Sequence, residues 1–185
     1  MCRKLAIENS RFAAAFFLST LALAGVACKG KHNLAAVQNE EPEPGPRLVS
    51  NLKMNDAAAS AQLLNGFYPV EAGAWRWTAG KFSVLLRTPP GSAQSGATLN
   101  FGLSIPDAVI DKLKTVKVTA SINGMALKAE QYNKAGAEAF TADVPGSLLA
   151  GDSVKVDFTL DKSIPPGADK RELGVVATSI GLVPK

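Results

Sequence analysis

Apolar and polar residues alternate with a period of two along much of the chain after residue 80. The clearest rows run from Thr115 to Ile122 and from Ser153 to Leu160, where every second side chain is apolar. Two further rows of alternating apolar residues begin at Phe82 and at Leu99. This period is typical of antiparallel strands that bury one face and expose the other.

Turn residues separate these rows. Asn123 and Gly124 stand between Ile122 and Met125, and this dipeptide predicts a tight hairpin because both of its residues tolerate a positive φ. Pro and Gly pairs bound the other rows. Helical spacing occurs only over 106–114 and 57–64. The sequence therefore predicts an all-β fold, an antiparallel β-sandwich or jelly roll with one or two short helices.

The first 28 residues have a different pattern. Basic residues precede an apolar segment from Phe12 to Ala24, and the small residue Ala27 stands directly before Cys28. This order predicts an export signal, and the apolar stretch is shorter than the roughly 20 residues that span a membrane. The end of the segment resembles a bacterial lipobox. We therefore predict a signal peptide over residues 1–27 and lipidation of Cys28, with ordinary cleavage after Ala27 as the alternative.

Residues 28–46 combine charges, Pro and Gly with little to bury, which predicts a disordered tether before a domain over residues 47–185. Cys2 belongs to the predicted signal and His32 to the tether, so the domain contains neither Cys nor His. The expected location is the periplasmic or outer face of a bacterial envelope, with the lipid as the membrane partner. Without acylation the protein would be secreted.

The composition of the chain after the predicted signal peptide excludes several functions. Removing the signal leaves 17 basic and 15 acidic residues without a basic stripe, so we expect no nucleic-acid partner. No nucleophile elbow or phosphate loop is present, and we predict no catalytic residue, no cofactor and no metal. A glycosidase pair of Glu71 with Asp169 or Glu172, and calcium binding through Asp143 and Asp152, are the weaker alternatives.

Two segments differ from ordinary sandwich strands. Residues 66–77 concentrate aromatic residues around Glu71 and Arg76, and residues 169–174 read Asp-Lys-Arg-Glu-Leu-Gly before the last apolar row. Together they resemble β-sandwich domains of bacterial envelope and polysaccharide-associated proteins, sometimes appended to glycosyltransferases and similar to carbohydrate-binding jelly rolls. The matching positions are Gly66, Tyr68, Glu71, Arg76, Trp77, Asp169, Arg171, Leu173 and Gly174.

The resemblance implies non-catalytic binding of a glycan or another envelope component. The alternative is an assembly module that recognises a protein through a sheet edge or an aromatic patch. We expect Arg76 and Arg171 to be ties to carboxylates, and Trp75 and Trp77 to point to opposite faces of a strand. The predicted contact residues are Tyr68 and Trp75, and the predicted structural residues are Gly66, Glu71, Arg76, Trp77, Asp169, Arg171, Glu172 and Gly174.

Overall fold

The structure is a computed structural model that describes residues 47–185. The predicted signal peptide, Cys28 and the predicted tether lie outside the described residues. The strands are β1 (Asn51–Lys53), β2 (Leu63–Phe67), β3 (Arg76–Arg87), β4 (Ala97–Ile105), β5 (Val116–Ile122), β6 (Met125–Tyr132), β7 (Gly136–Val144), β8 (Ser153–Leu160) and β9 (Val176–Pro184). The helices are α1 (Ser92–Ser95) and α2 (Asp107–Leu113), with 3₁₀ segments at Ala57–Ala61 and Gly146–Leu148.

The strands form two antiparallel sheets. The front sheet has the order β2-β3-β8-β5-β6, and in the back sheet β9 lies between β1 and β4, with β7 beyond β4. The strand β3 belongs to both sheets, because Arg76 and Trp77 pair with β9 while Lys81–Arg87 pairs with β8. The fold is an antiparallel β-sandwich, and this confirms the predicted fold class.

The inward-facing residues of the two sheets form one hydrophobic core. Four phenylalanines lie at its centre, each 1 % exposed or less, with ring centroids 4.9–6.4 Å apart. Their planes range from stacked to edge-on, which is how aromatic rings pack favourably. The core therefore depends on the alternating rows that the sequence displays; the four rings are Phe82, Phe101, Phe140 and Phe158.

Several local predictions are confirmed. The strands β5 and β8 coincide with the two clearest rows of alternation. Asn123 and Gly124 form the turn between β5 and β6 with φ values of 50° and 79°. The helix α2 lies inside the stretch 106–114 that has helical spacing.

No helix within residues 47–185 is long and apolar enough to cross a membrane.

The helix expected over residues 57–64 is wrong in extent. A 3₁₀ segment begins after Asp56, whose carboxylate caps Ala58, and it ends at Ala61. The side-chain amide of the buried residue Gln62 then donates to the backbone oxygens of Val49 and Leu85. These bonds hold the chain against the edge of β3, so the residues that follow pair as β2 rather than continue a helix.

Candidate functional site

A short hairpin leads into β3. The amide of Tyr68 donates to the oxygen of Trp77 at 3.0 Å, and the amide of Glu71 donates to the oxygen of Trp75 at 2.8 Å. At its tip Ala72 and Gly73 have φ values of 49° and 62°. Both values are positive, as they are for the two central residues of a type I′ turn. The hairpin therefore fixes the relative positions of the residues on its two arms.

Tyr68, Glu71, Trp75 and Trp77 share one side of this hairpin, and we call them the aromatic face. The two indole rings meet edge-to-face, with centroids 6.3 Å apart at 82°. The expectation that the tryptophans point to opposite faces is wrong, because residues two apart on extended backbone point to the same side. All four side chains are half-buried, and Trp77 packs against the hydrophobic core.

Arg171 connects the aromatic face to the segment that precedes β9. Its Nη1 donates to Glu71 Oε1 at 2.6 Å, while its Nε and Nη2 donate to the Asp169 carboxylate at 3.0 and 2.8 Å. The guanidinium carbon lies 5.2 Å from the centre of the Tyr68 ring, within the range of a cation–π contact. One guanidinium thus holds together two segments that are 100 residues apart in sequence.

Hydrogen bonds from Arg171 lower the pKa of Asp169 from its ordinary value of 3.8 to about 2. The bonds to Asp169 and Glu71 raise the pKa of Arg171 in turn. A carboxylate held ionised in this way is unsuited to donating a proton in catalysis. Two guanidinium N–H groups of Arg171 and the Oε2 atom of Glu71 have no hydrogen-bond partner among residues 47–185.

The shifted pKa of Asp169 predicts a pH-dependent contribution to stability. Because its pKa is lower in the folded protein, the carboxylate stabilises the fold above a pH of about 4, and this contribution is lost as the pH falls toward about 2. We expect the difference in urea midpoint between the wild type and Asp169→Asn to shrink across this window. Lys170→Gln, at the exposed neighbouring position, is the control. A difference that stays constant from pH 6 to pH 2 would contradict the assignment.

The expected carboxylate partner for Arg76 is wrong. Its Nε donates to the backbone oxygen of Met54 at 2.9 Å, its Nη1 to that of Tyr68 at 3.2 Å, and its Nη2 to Ser60 Oγ at 3.0 Å. Arg76 therefore ties the hairpin to the segment that follows β1. Glu172 likewise forms no ion pair with an arginine of residues 47–185, and it accepts a hydrogen bond from Ser163 Oγ at 2.5 Å.

The segment that precedes β9 packs closely against β3 at Gly174 and Thr78. A Cβ at Gly174 would lie 2.7 Å from the Ala79 oxygen, so only glycine fits this approach. The buried hydroxyl of Thr78 donates to the Val175 oxygen and accepts from the Val175 amide, both at 3.1 Å. The role of Thr78 cannot be predicted from the sequence pattern, in which the one signal is a hydroxyl residue directly after the aromatic segment.

The two aspartates considered for calcium binding lie on different surfaces. Asp143 pairs with Lys185 at 3.0 Å, and Asp152 lines a different surface. No group of three His, Cys, Asp or Glu side chains that could hold a metal ion occurs in the described part of the chain. The expectations of no catalysis, no cofactor and no metal stay predictions.

No protein-family model matches the chain, and no curated protein matches it in sequence. Among solved structures it is similar to a GH115 4-O-methyl-α-glucuronidase with specificity for decorated arabinogalactans (TM-score 0.45, 9 % identity, 75 % of this chain and 18 % of that one). It is also similar to dimeric latent PorU from Porphyromonas gingivalis (TM-score 0.40, 11 % identity, 57 % and 10 %). A third is the CBM51-2 and INT structure with GlcNAc from Clostridium perfringens ZmpB (TM-score 0.37, 13 % identity, 74 % and 28 %). The chain spans less than a third of the length of each of these chains.

Proposed function

We propose that this chain is an exported, lipid-anchored envelope protein whose β-sandwich binds a glycan without catalysing a reaction. The observation that carries the proposal is the aromatic face, where partly exposed rings lie beside a carboxylate and a guanidinium with unused hydrogen-bonding groups. A sugar presents an apolar C–H face and a rim of hydroxyls. The rings of the aromatic face can contact the C–H face, and its charged groups can bind the hydroxyls.

In this proposal the side chains of the hairpin have different roles, which we infer from their contacts. Trp77 packs against the core, and Arg76 holds the back of the hairpin, so both position the site rather than contact a ligand. Tyr68 and Trp75 are the rings left for a ligand, with Glu71 and Arg171 between them to bind hydroxyl groups. A hairpin already fixed by these contacts loses little conformational freedom on binding.

Removing either contact ring should weaken glycan binding without unfolding the domain. We expect Trp75→Ala and Tyr68→Ala to bind an envelope polysaccharide at least tenfold more weakly in affinity gels, which corresponds to about 1.4 kcal/mol. Their melting temperatures should stay close to that of the wild type. Met125→Ala is the matched control, because Met125 is an exposed apolar residue on a different hairpin.

Three outcomes of this experiment distinguish a binding role of the two rings from a structural role and from no role in binding. Loss of retention with preserved melting supports the aromatic face as the binding site. Unfolding of both variants would mean that the rings are structural, and unchanged retention in both would mean that any glycan binds elsewhere.

The proposed anchor depends on Cys28. Cys28→Ala should remove the acylation site, because alanine has no thiol to carry the lipid, and move the protein from the detergent phase to the aqueous phase. Stable anchoring requires more than one acyl chain, at about 0.8 kcal/mol for each buried methylene. Wild-type protein found wholly in the aqueous phase, with a mature N-terminus other than Cys28, would contradict this proposal.

The tip of the hairpin favours a second function, docking of a protein partner. Val70 is 42 % exposed, and Pro69, Ala72 and Ala74 beside it are also exposed. Such an apolar tip is suited to a protein surface. Val70→Asp would abolish docking of a protein while leaving glycan retention intact, and this separates the two functions.

A further inference from the structure

A cavity of about 700 Å³ opens at the end of β3 that lies furthest from the aromatic face. Arg87 at the end of β3, Thr88 and Pro89 after it, Arg47 at the start of the described chain and Asp152 before β8 line it. Its volume falls within the roughly 300–1,000 Å³ of small-ligand sites. None of these residues belongs to the segments that define the aromatic face.

Backbone hydrogen bonds hold the wall of the cavity in place. The amide of Arg87 donates to the Val49 oxygen at 3.1 Å, and the amide of Thr88 donates to the Asp152 oxygen at 2.9 Å. Three segments that are distant in sequence are therefore joined at this point. The wall is set by main-chain bonds that do not depend on the arginine side chains.

The polar side chains of the cavity are uncommitted. Neither Arg47 nor Arg87 forms an ion pair within the described domain, and both side chains are exposed. The Thr88 hydroxyl oxygen is buried and has no hydrogen-bond partner there. The two guanidinium groups that line the cavity favour a carboxylate or phosphate.

Asp152 narrows the class of ligand. This carboxylate only accepts hydrogen bonds, so a sugar hydroxyl can donate to it, whereas a fully ionised inorganic anion has no proton to donate. A sugar acid carries both an anionic group and hydroxyls on one small ring, and its C–H face can contact Pro90 and Leu48 on the wall. We infer that the cavity binds a uronic acid residue of an acidic polysaccharide, with Arg47 and Arg87 on its carboxylate and Asp152 on its hydroxyls. The ligand class rests on the proposed glycan binding, but the position of the site does not.

The test is a calorimetric titration of the purified domain with galacturonate oligomers, and with neutral dextran oligomers as the comparison. We expect Arg87→Gln and Arg47→Gln to weaken binding of the galacturonate at least tenfold each. Lys81→Gln should leave it unchanged, because Lys81 is an exposed basic residue on the same strand but outside the cavity. Melting curves of each variant show whether the fold is retained.

The outcomes separate this inference from the proposed function. Three results would overturn the uronate site. They are an equal loss of galacturonate binding in Lys81→Gln, no loss of it in the two arginine variants, and binding of inorganic phosphate as tight as that of galacturonate. If Trp75→Ala and Tyr68→Ala leave binding intact while Arg87→Gln abolishes it, the ligand binds in the cavity and not at the aromatic face. The reverse pattern supports the aromatic face and overturns the cavity.

Discussion

Replacing Phe158 by alanine is expected to lower the free energy of unfolding by about 3–5 kcal/mol, the usual cost of deleting a buried aromatic ring. Phe158 is 1 % exposed. Its ring stacks on Phe82 with centroids 4.9 Å apart, and it contacts Phe101 at 5.0 Å and Phe140 at 6.4 Å. Removal would leave a void where the two sheets meet. Urea unfolding of the purified domain measures the loss.

The neighbouring residue Asp157 is the matched control. It points outward from the same strand and pairs with Lys155 at 2.8 Å, with both side chains substantially exposed. An exposed pair of this kind contributes little, so Asp157→Ala should change stability by no more than about half a kcal/mol. Equal losses at the two positions would mean that the register of β8 is wrong.

Gly66→Ala is expected to destabilise the domain by about 2–5 kcal/mol, for two reasons that add. Gly66 has a φ of 71°, where an L-residue costs roughly 1–2 kcal/mol. A Cβ there would also collide with the Lys81 oxygen and lie 2.7 Å from the Phe82 Cα, and such overpacking costs roughly 1–3 kcal/mol more. The measurement is the urea midpoint of the variant against the wild type.

Gly73→Ala separates these two contributions. Gly73 has a similar φ of 62°, but a Cβ there would meet nothing within 4 Å. It should therefore show only the conformational cost of roughly 1–2 kcal/mol. A loss at Gly66 no larger than the loss at Gly73 would mean that β2 and β3 do not approach as closely as the structure has them.

The strands could be predicted where one face is buried along the whole strand. In β5 and β8 every second residue enters the core, so the alternation is visible in the sequence. The strand β7 could not be predicted in this way, because its first four residues are exposed and its buried row begins only at Phe140. The strand β2 was missed because its position depends on side-chain bonds of Gln62 to distant backbone.

The candidate sites were less predictable than the fold, and the reason is physical. The unusual composition of residues 66–77 draws attention to the aromatic segment. The contacts of this segment could not be predicted in the same way. Arg76 binds backbone oxygens, and a sequence pattern does not show which backbone oxygens a side chain reaches. The cavity residues Arg47, Arg87 and Asp152 belong to three segments that only the folded chain brings together.

Tryptophan fluorescence reports directly on glycan binding at the aromatic face, because the chain contains two tryptophans and both lie in that face. We predict that adding the polysaccharide that retains the protein in affinity gels shifts or quenches the emission in a saturable way, with a midpoint that matches retention. Binding that leaves the emission unchanged at saturating polysaccharide would contradict the account.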